Sequence, residues 1–72
     1  MKLNYYADTD SLYIDLSSKT STESKEIADG VVVDFDQYGA IVGIDIEQAS
    51  KHLTLTELEL NMLPLISQKI RA

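Results

Sequence analysis

The stretch Gly30 to Glu47, GVVVDFDQYGAIVGIDIE, holds two apolar runs of strand period separated by a short turn that closes on Gly39. Side chains alternate across a strand, so Val31, Val33 and Phe35 share one face of the first run, and Val32, Asp34 and Asp36 share the other. On the second run Val42, Ile44 and Ile46 stand opposite Ile41, Gly43, Asp45 and Glu47. Asp36-Gln37-Tyr38-Gly39 has the residues of a type I turn ending on a glycine in left-handed backbone. A glycine inside a strand, as at Gly43, points to a bulge or to the close approach of another backbone or a bulky side chain.

Working outward, Asp29-Gly30 suits a two-residue type I′ turn, which pairs the apolar run after it with Glu23–Ala28 before it. That earlier segment carries Glu23, Lys25 and Glu26 with little apolar content, the composition of an edge strand. Nearer the N-terminus, Leu3 and Tyr5 alternate with Lys2, Asn4 and Tyr6. Leu12, Ile14 and Leu16 then alternate with Tyr13 and Asp15, predicting a second strand with its tyrosine outward. Between these strands Ala7-Asp8-Thr9-Asp10-Ser11 supplies side chains that hydrogen-bond the local backbone and turn the chain. The polar run Ser17–Thr22 reads as a surface loop.

From Gln48 the alternation stops. Leu55, Leu58, Met62 and Ile66 recur at helical spacing, and Thr54-x-x-Glu57 reads as a capping box, so a helix is expected over the tail. Pro64 would clash with the carbonyl of Leu60, which kinks that helix or divides it in two. Leu60, Leu63, Leu65 and Ile70 widen the apolar stripe beyond one face, a surplus suited to packing on the sheet or on a second subunit. The expected architecture is α+β: about five antiparallel strands in a meander of hairpins over residues 1–47, then a helical segment over 48–72, forming one domain.

At 72 residues the chain removes only about 60% of its unfolded surface from water, and without cysteine it has neither disulfide nor thiolate metal site. Oligomerisation is the remaining support for so thin a core, and a homodimer is expected. Twelve acidic residues against six basic give a net charge of −6. This charge repels a nucleic-acid backbone and attracts a basic protein partner, although it also serves solubility alone. The first residues lack the apolar core of a secretory signal, and no apolar run approaches the roughly 20 residues that span a bilayer. The expected location is the cytoplasm, without membrane attachment.

Asp8 with Asp10, and Asp34 with Asp36, form two D-x-D pairs of hard oxygen ligands. Neither continues into a calcium loop, and turn chemistry accounts for both, so no metal or cofactor is expected. His52 sits beside Lys51 with no group to orient it, and Ser11, Ser17, Ser18 and Ser50 lie in no activated-serine pattern. Gly30, Gly39 and Gly43 are too dispersed to cradle phosphate. No catalytic residue is assigned. Tyr6 and Tyr13, with Tyr38, are placed outward, where aromatics form an interface or pair across strands. Tyr6, Tyr13, Leu58, Met62, Leu65 and Ile66 are the interface candidates.

Tyr5-Tyr6-x-Asp8-x-Asp10-Ser11-Leu12-Tyr13-Ile14-x-Leu16, followed by Asp29-Gly30-Val31-Val32-Val33-Asp34-x-Asp36-x-x-Gly39-x-Ile41-Val42-Gly43-Ile44-x-Ile46-x-x-Ala49-Ser50, resembles the small bacterial domain-of-unknown-function family 2283. The resemblance covers roughly residues 3 to 53, with Asp45 where the family commonly carries Glu. It implies an antiparallel sheet with a helical C-terminal portion and transfers no catalytic residue. Small toxin-like genes beside family members imply an antitoxin-like role. The expectation is a non-enzymatic, homodimeric protein-interaction module; the alternatives are a divalent-metal or small-ligand domain using the turn aspartates, and a purely structural subunit.

Overall fold

The computed structural model of the chain describes residues 1–59 and Asn61. The alternating segments become β1 (Lys2–Tyr6), β2 (Ser11–Asp15), β3 (Glu23–Ala28), β4 (Val31–Phe35) and β5 (Ile41–Ile46), followed by a short helix α1 (Ala49–His52). All neighbouring strands are antiparallel, in the order β1-β2-β5-β4-β3.

That order corrects the expected meander. The three hairpins form, but β5 inserts between β2 and β4, and the loop after β2 carries the chain to the far edge. Strands β2 to β5 thus have a Greek-key order, with the long connection first. The physical reason lies in composition. A central strand is buried on both sides of its backbone, and the apolar β5 takes that place, leaving the charged β3 on an edge where Glu23, Lys25 and Glu26 deter pairing with another chain.

The register builds two unlike faces. One cross-sheet row runs Leu3, Ile14, Ile44, Val33, Lys25, and the next runs Tyr5, Leu12, Ile46, Val31, Ala28. These rows make one apolar face. The intervening rows, Lys2, Asp15, Gly43, Asp34, Ser24 and Asn4, Tyr13, Asp45, Val32, Glu26, make the other face polar and acidic. A single sheet cannot enclose a core by itself. Among the described residues the buried hydrophobic positions are Val33, Val42 and Ala49, and no large side chain is fully buried.

Two turns sharpen the expectations. Gly39 has φ 82°, and its N–H donates to Asp36 O at 3.1 Å, as a type I turn closed by glycine requires. The Asp29-Gly30 turn is not type I′, which needs positive φ at both positions: Gly30 has φ 76°, whereas the positive-φ non-glycine residues described are Asp10 and Gln48. A register shift between Glu26 and Ala28 adapts β3 to this turn.

The helix α1 lies at the start of the 48–72 segment expected to be helical, ahead of the expected capping box. Thr54 and Glu57 cap nothing among the described residues; α1 begins at Ala49 and ends where Leu53 becomes extended at φ −129°, ψ 153°. A distant side chain supplies a cap to α1, as described below. Leu60, Met62, Leu63, Pro64, Leu65, Ile66 and Ile70, with the kink expected at Pro64, lie outside the described residues. Among the described residues no helix is long and apolar enough to cross a membrane.

Candidate functional site

Asp10 occupies the end of the β1–β2 turn in left-handed backbone, φ 52°, a region that Asp tolerates better than most residues. Its carboxylate does not serve that turn. It accepts from Tyr5 Oη at 2.7 Å, from Ser50 Oγ at 2.6 Å, and from the Ser50 backbone N–H at 3.1 Å. The Asp10 carbonyl accepts from Ala49 N–H at 2.8 Å. Two orphan donors at the start of α1 are thereby satisfied by a residue 40 positions away. Gln48, the residue at the N-cap, makes no side-chain cap of its own. The Ser50 hydrogen bond above all, then that of Tyr5, holds the Asp10 carboxyl below its ordinary range, with Lys51 assisting. The same bond pushes the Tyr5 hydroxyl up.

A second constellation crosses the polar face. Tyr13 Oη donates to Asp34 Oδ2 at 2.8 Å, and Ser24 Oγ donates to Asp34 Oδ1 at 2.6 Å, tying β2 and β3 to β4. Between them on β5 lies Gly43, over which the Tyr13 ring closes. A Cβ there would stand 2.6 Å from Tyr13 Cζ, well inside van der Waals contact. The expected close approach at Gly43 is therefore the Tyr13 side chain. The expected bulge is present as well, because the register steps so that Asp34 faces Gly43 and Phe35 faces Ile41. Hydrogen bonding to Asp34 first, then burial and the charges of Asp34, Asp15 and Asp45, push the Tyr13 hydroxyl up to about 12. Tyr13 is half-buried and engaged within the sheet, whereas Tyr6 on the edge strand is 51% exposed.

Asp36 is a turn residue. It is only 6% exposed, and its Oδ1 accepts from the N–H groups of Tyr38 and Ala40, each at 2.9 Å. Those backbone donors, Ala40 foremost, outweigh burial and lower its carboxyl. Its Oδ2 is buried without a hydrogen-bond partner among the described residues. The two aspartate pairs are thus divided among separate tasks: Asp10 holds α1, Asp34 the polar face, Asp36 the β4–β5 turn, and Asp8 is exposed. Among the described residues no group of three metal-ligating side chains is brought together. His52 lies exposed in the last turn of α1.

On the apolar face the chain after α1 forms one wall of a groove. Leu53, Leu55, Glu57 and Leu58 stand on one side, and Leu3, Tyr5, Leu12, Ile14 and Ile46 form the floor, around about 560 Å³ of open space. Leu3, Tyr5 and Leu58 are 44%, 47% and 62% exposed. Among the interface candidates, Leu58 joins this groove, Tyr6 and Tyr13 belong to the polar face, and Met62, Leu65 and Ile66 lie outside the described residues. The missed structural residues are Tyr5, Ser50 and Gln48. The pairing of Tyr5 and Ser50 with Asp10, and the left-handed backbone of Gln48, leave no periodic mark; the nearest signal was the coincidence of Asp10 and Ala49-Ser50 in one family pattern.

A Greek-key sheet with one polar, internally hydrogen-bonded face and one apolar, grooved face defines a small single-layer α+β protein. Residues 2–50 match the family model described as Protein of unknown function (DUF2283), and the chain belongs to that family. No curated protein and no solved structure matches the chain.

Proposed function

We propose that this protein is a non-enzymatic, cytoplasmic protein-interaction module that self-associates as a homodimer through the apolar face of its sheet. The observation that carries the reading is the groove between Leu3, Leu12, Ile14 and Ile46 and the Leu53–Leu58 wall, an apolar surface on a sheet whose described residues enclose only Val33, Val42 and Ala49 as buried hydrophobics. Covering such a face yields roughly 25 cal/mol per Å² of apolar surface. The opposite face carries Asp15, Asp34 and Asp45, so two copies meeting there would juxtapose like charges. Sedimentation equilibrium of the whole chain should show concentration-dependent conversion from monomer to dimer. Leu3→Glu, at an exposed edge position, should weaken association at least tenfold; a wild-type chain monomeric at every concentration would sink the reading.

A second reading, antitoxin-like capture of a basic protein, is favoured by the acidic face and the net charge of −6. Its test is co-purification from the native cell: a strongly basic partner released by salt supports it, and recovery without one removes it.

A further inference from the structure

We infer that the outer edge of β1 is a self-association surface, on which a second copy of this chain lays its own β1 antiparallel, with Leu3 of each copy opposite Tyr5 of the other. The inference goes beyond the face reading above and does not depend on it. The first argument is backbone direction. Leu16 N–H donates to Val42 O at 2.9 Å. Backbone groups of successive residues point to alternate sides of a strand, so Leu12 and Ile14 direct theirs toward β5, and Ser11, Tyr13 and Asp15 direct theirs toward β1. Tyr6, Asn4 and Lys2 are the β1 partners that complete those pairs, and Tyr6 O accordingly turns inward, accepting from Thr9 N–H at 3.3 Å. Leu3 and Tyr5 therefore direct their N–H and C=O groups away from the sheet, and among the described residues the hydrogen-bonded neighbour of β1 is β2 alone.

An antiparallel strand added at this edge pairs through Leu3 and Tyr5. When that strand is a second β1, Leu3 of each copy exchanges both backbone hydrogen bonds with Tyr5 of the other, about a two-fold axis at Asn4. A shift of two residues either way leaves part of the five-residue strand unpaired. The side chains match in this register: Leu3 meets Tyr5 on the apolar face, while Asn4 meets Asn4 and Lys2 meets the ring of Tyr6 on the polar face. The two Lys2 residues stand about 14 Å apart along the strands. Charge is the second argument. Of the five strands, β1 alone carries no carboxylate, so two chains of net charge −6 meet at their least acidic strand. The other edge is defended by Glu23, Lys25, Glu26 and a register shift, whereas β1 runs in unbroken register. The Tyr5 ring is already held by its hydroxyl bond to Asp10 at 2.7 Å, which reduces the freedom lost on pairing.

The chain has no cysteine, so single cysteines read the register in the full-length protein. Asn4→Cys puts two thiols across the two-fold axis in a non-hydrogen-bonded pair, whose Cα separation of about 4.5 Å lies within disulfide reach. With diamide as oxidant, Asn4→Cys should cross-link at least tenfold faster than Lys2→Cys or Tyr6→Cys alone, and a mixture of those two variants should cross-link faster than either. In the unsubstituted chain, the Leu3 and Tyr5 amides should lose hydrogen-exchange protection on dilution, while those of Asn4 and Tyr6 keep it. Equal cross-linking by the three single cysteines overturns the register. A dimer whose Leu3 and Tyr5 amides exchange freely overturns edge pairing alone and leaves the face reading standing. A chain monomeric at every concentration overturns both.

Discussion

Asp10 shows how much one carboxylate can organise. A side chain that would ordinarily close a local turn instead receives the Ser50 N–H and hydroxyl at the start of a helix and a tyrosine hydroxyl. Its pKa is lowered in the folded state, so it contributes stability above its unfolded value, ordinarily 3.8, and loses that contribution as pH falls through the folded value. Asp10→Asn should therefore lower the melting temperature at neutral pH, and the difference from wild type should close on acidification below the ordinary aspartate range. Tyr13 has the opposite sign. Its hydroxyl, pushed up to about 12, stabilises the fold fully below the ordinary value of 10.0, and that contribution is lost as pH rises through about 12. Absorbance titration of the phenolates should show a late-ionising tyrosine that disappears in Tyr13→Phe and moves earlier in Asp34→Asn. Gly43→Ala would drive a methyl into the Tyr13 ring. Overpacking of this kind costs about 1–3 kcal/mol, and Tyr13→Ala in the same chain should remove most of that penalty in a double-mutant cycle.

At the scale of elements, the contrast between the strands and α1 is instructive. Each strand was legible because alternation is a local property: Leu12 and Ile14 lie on one face whatever their partner. The helix has only the span Ala49–His52 and enters through Gln48 at φ 50°, ψ 48°. Left-handed backbone costs a residue with a side chain roughly 1–2 kcal/mol, partly offset by the extra flexibility glycine brings to the unfolded chain. Gln48→Gly should thus raise stability by up to about 1 kcal/mol, read as a rise of a few degrees in melting temperature. Gln48→Val should do the reverse. The Thr54-x-x-Glu57 pattern starts no helix among the described residues, whereas the start of α1 is held by tertiary hydrogen bonds to Asp10.

For the whole molecule, segregation of charge matters more than its sum. The acidic residues on the Tyr13 face leave the Leu12 and Ile14 rows free of carboxylates, giving one face fit for water and one fit for a partner. Long-range repulsion between two chains of net charge −6 opposes association and is screened by salt. Dimerisation through the apolar face should therefore strengthen as ionic strength rises from low to physiological values, measured as a falling dissociation constant. Binding of a basic protein to the acidic face should weaken over the same range.

The amino-acid sequence by itself determined the five strands, the Gly39 turn, the edge character of Glu23–Ala28 and the membership of its family, since each rests on alternation, turn chemistry or a run of neighbouring residues. Tertiary structure alone decided that β5 separates β2 from β4, that Tyr13 closes over Gly43, and that Asp10 reaches Ser50. These depend on which distant surfaces meet. A period of two records which face a side chain takes, and carries no record of the strand that will lie beside it.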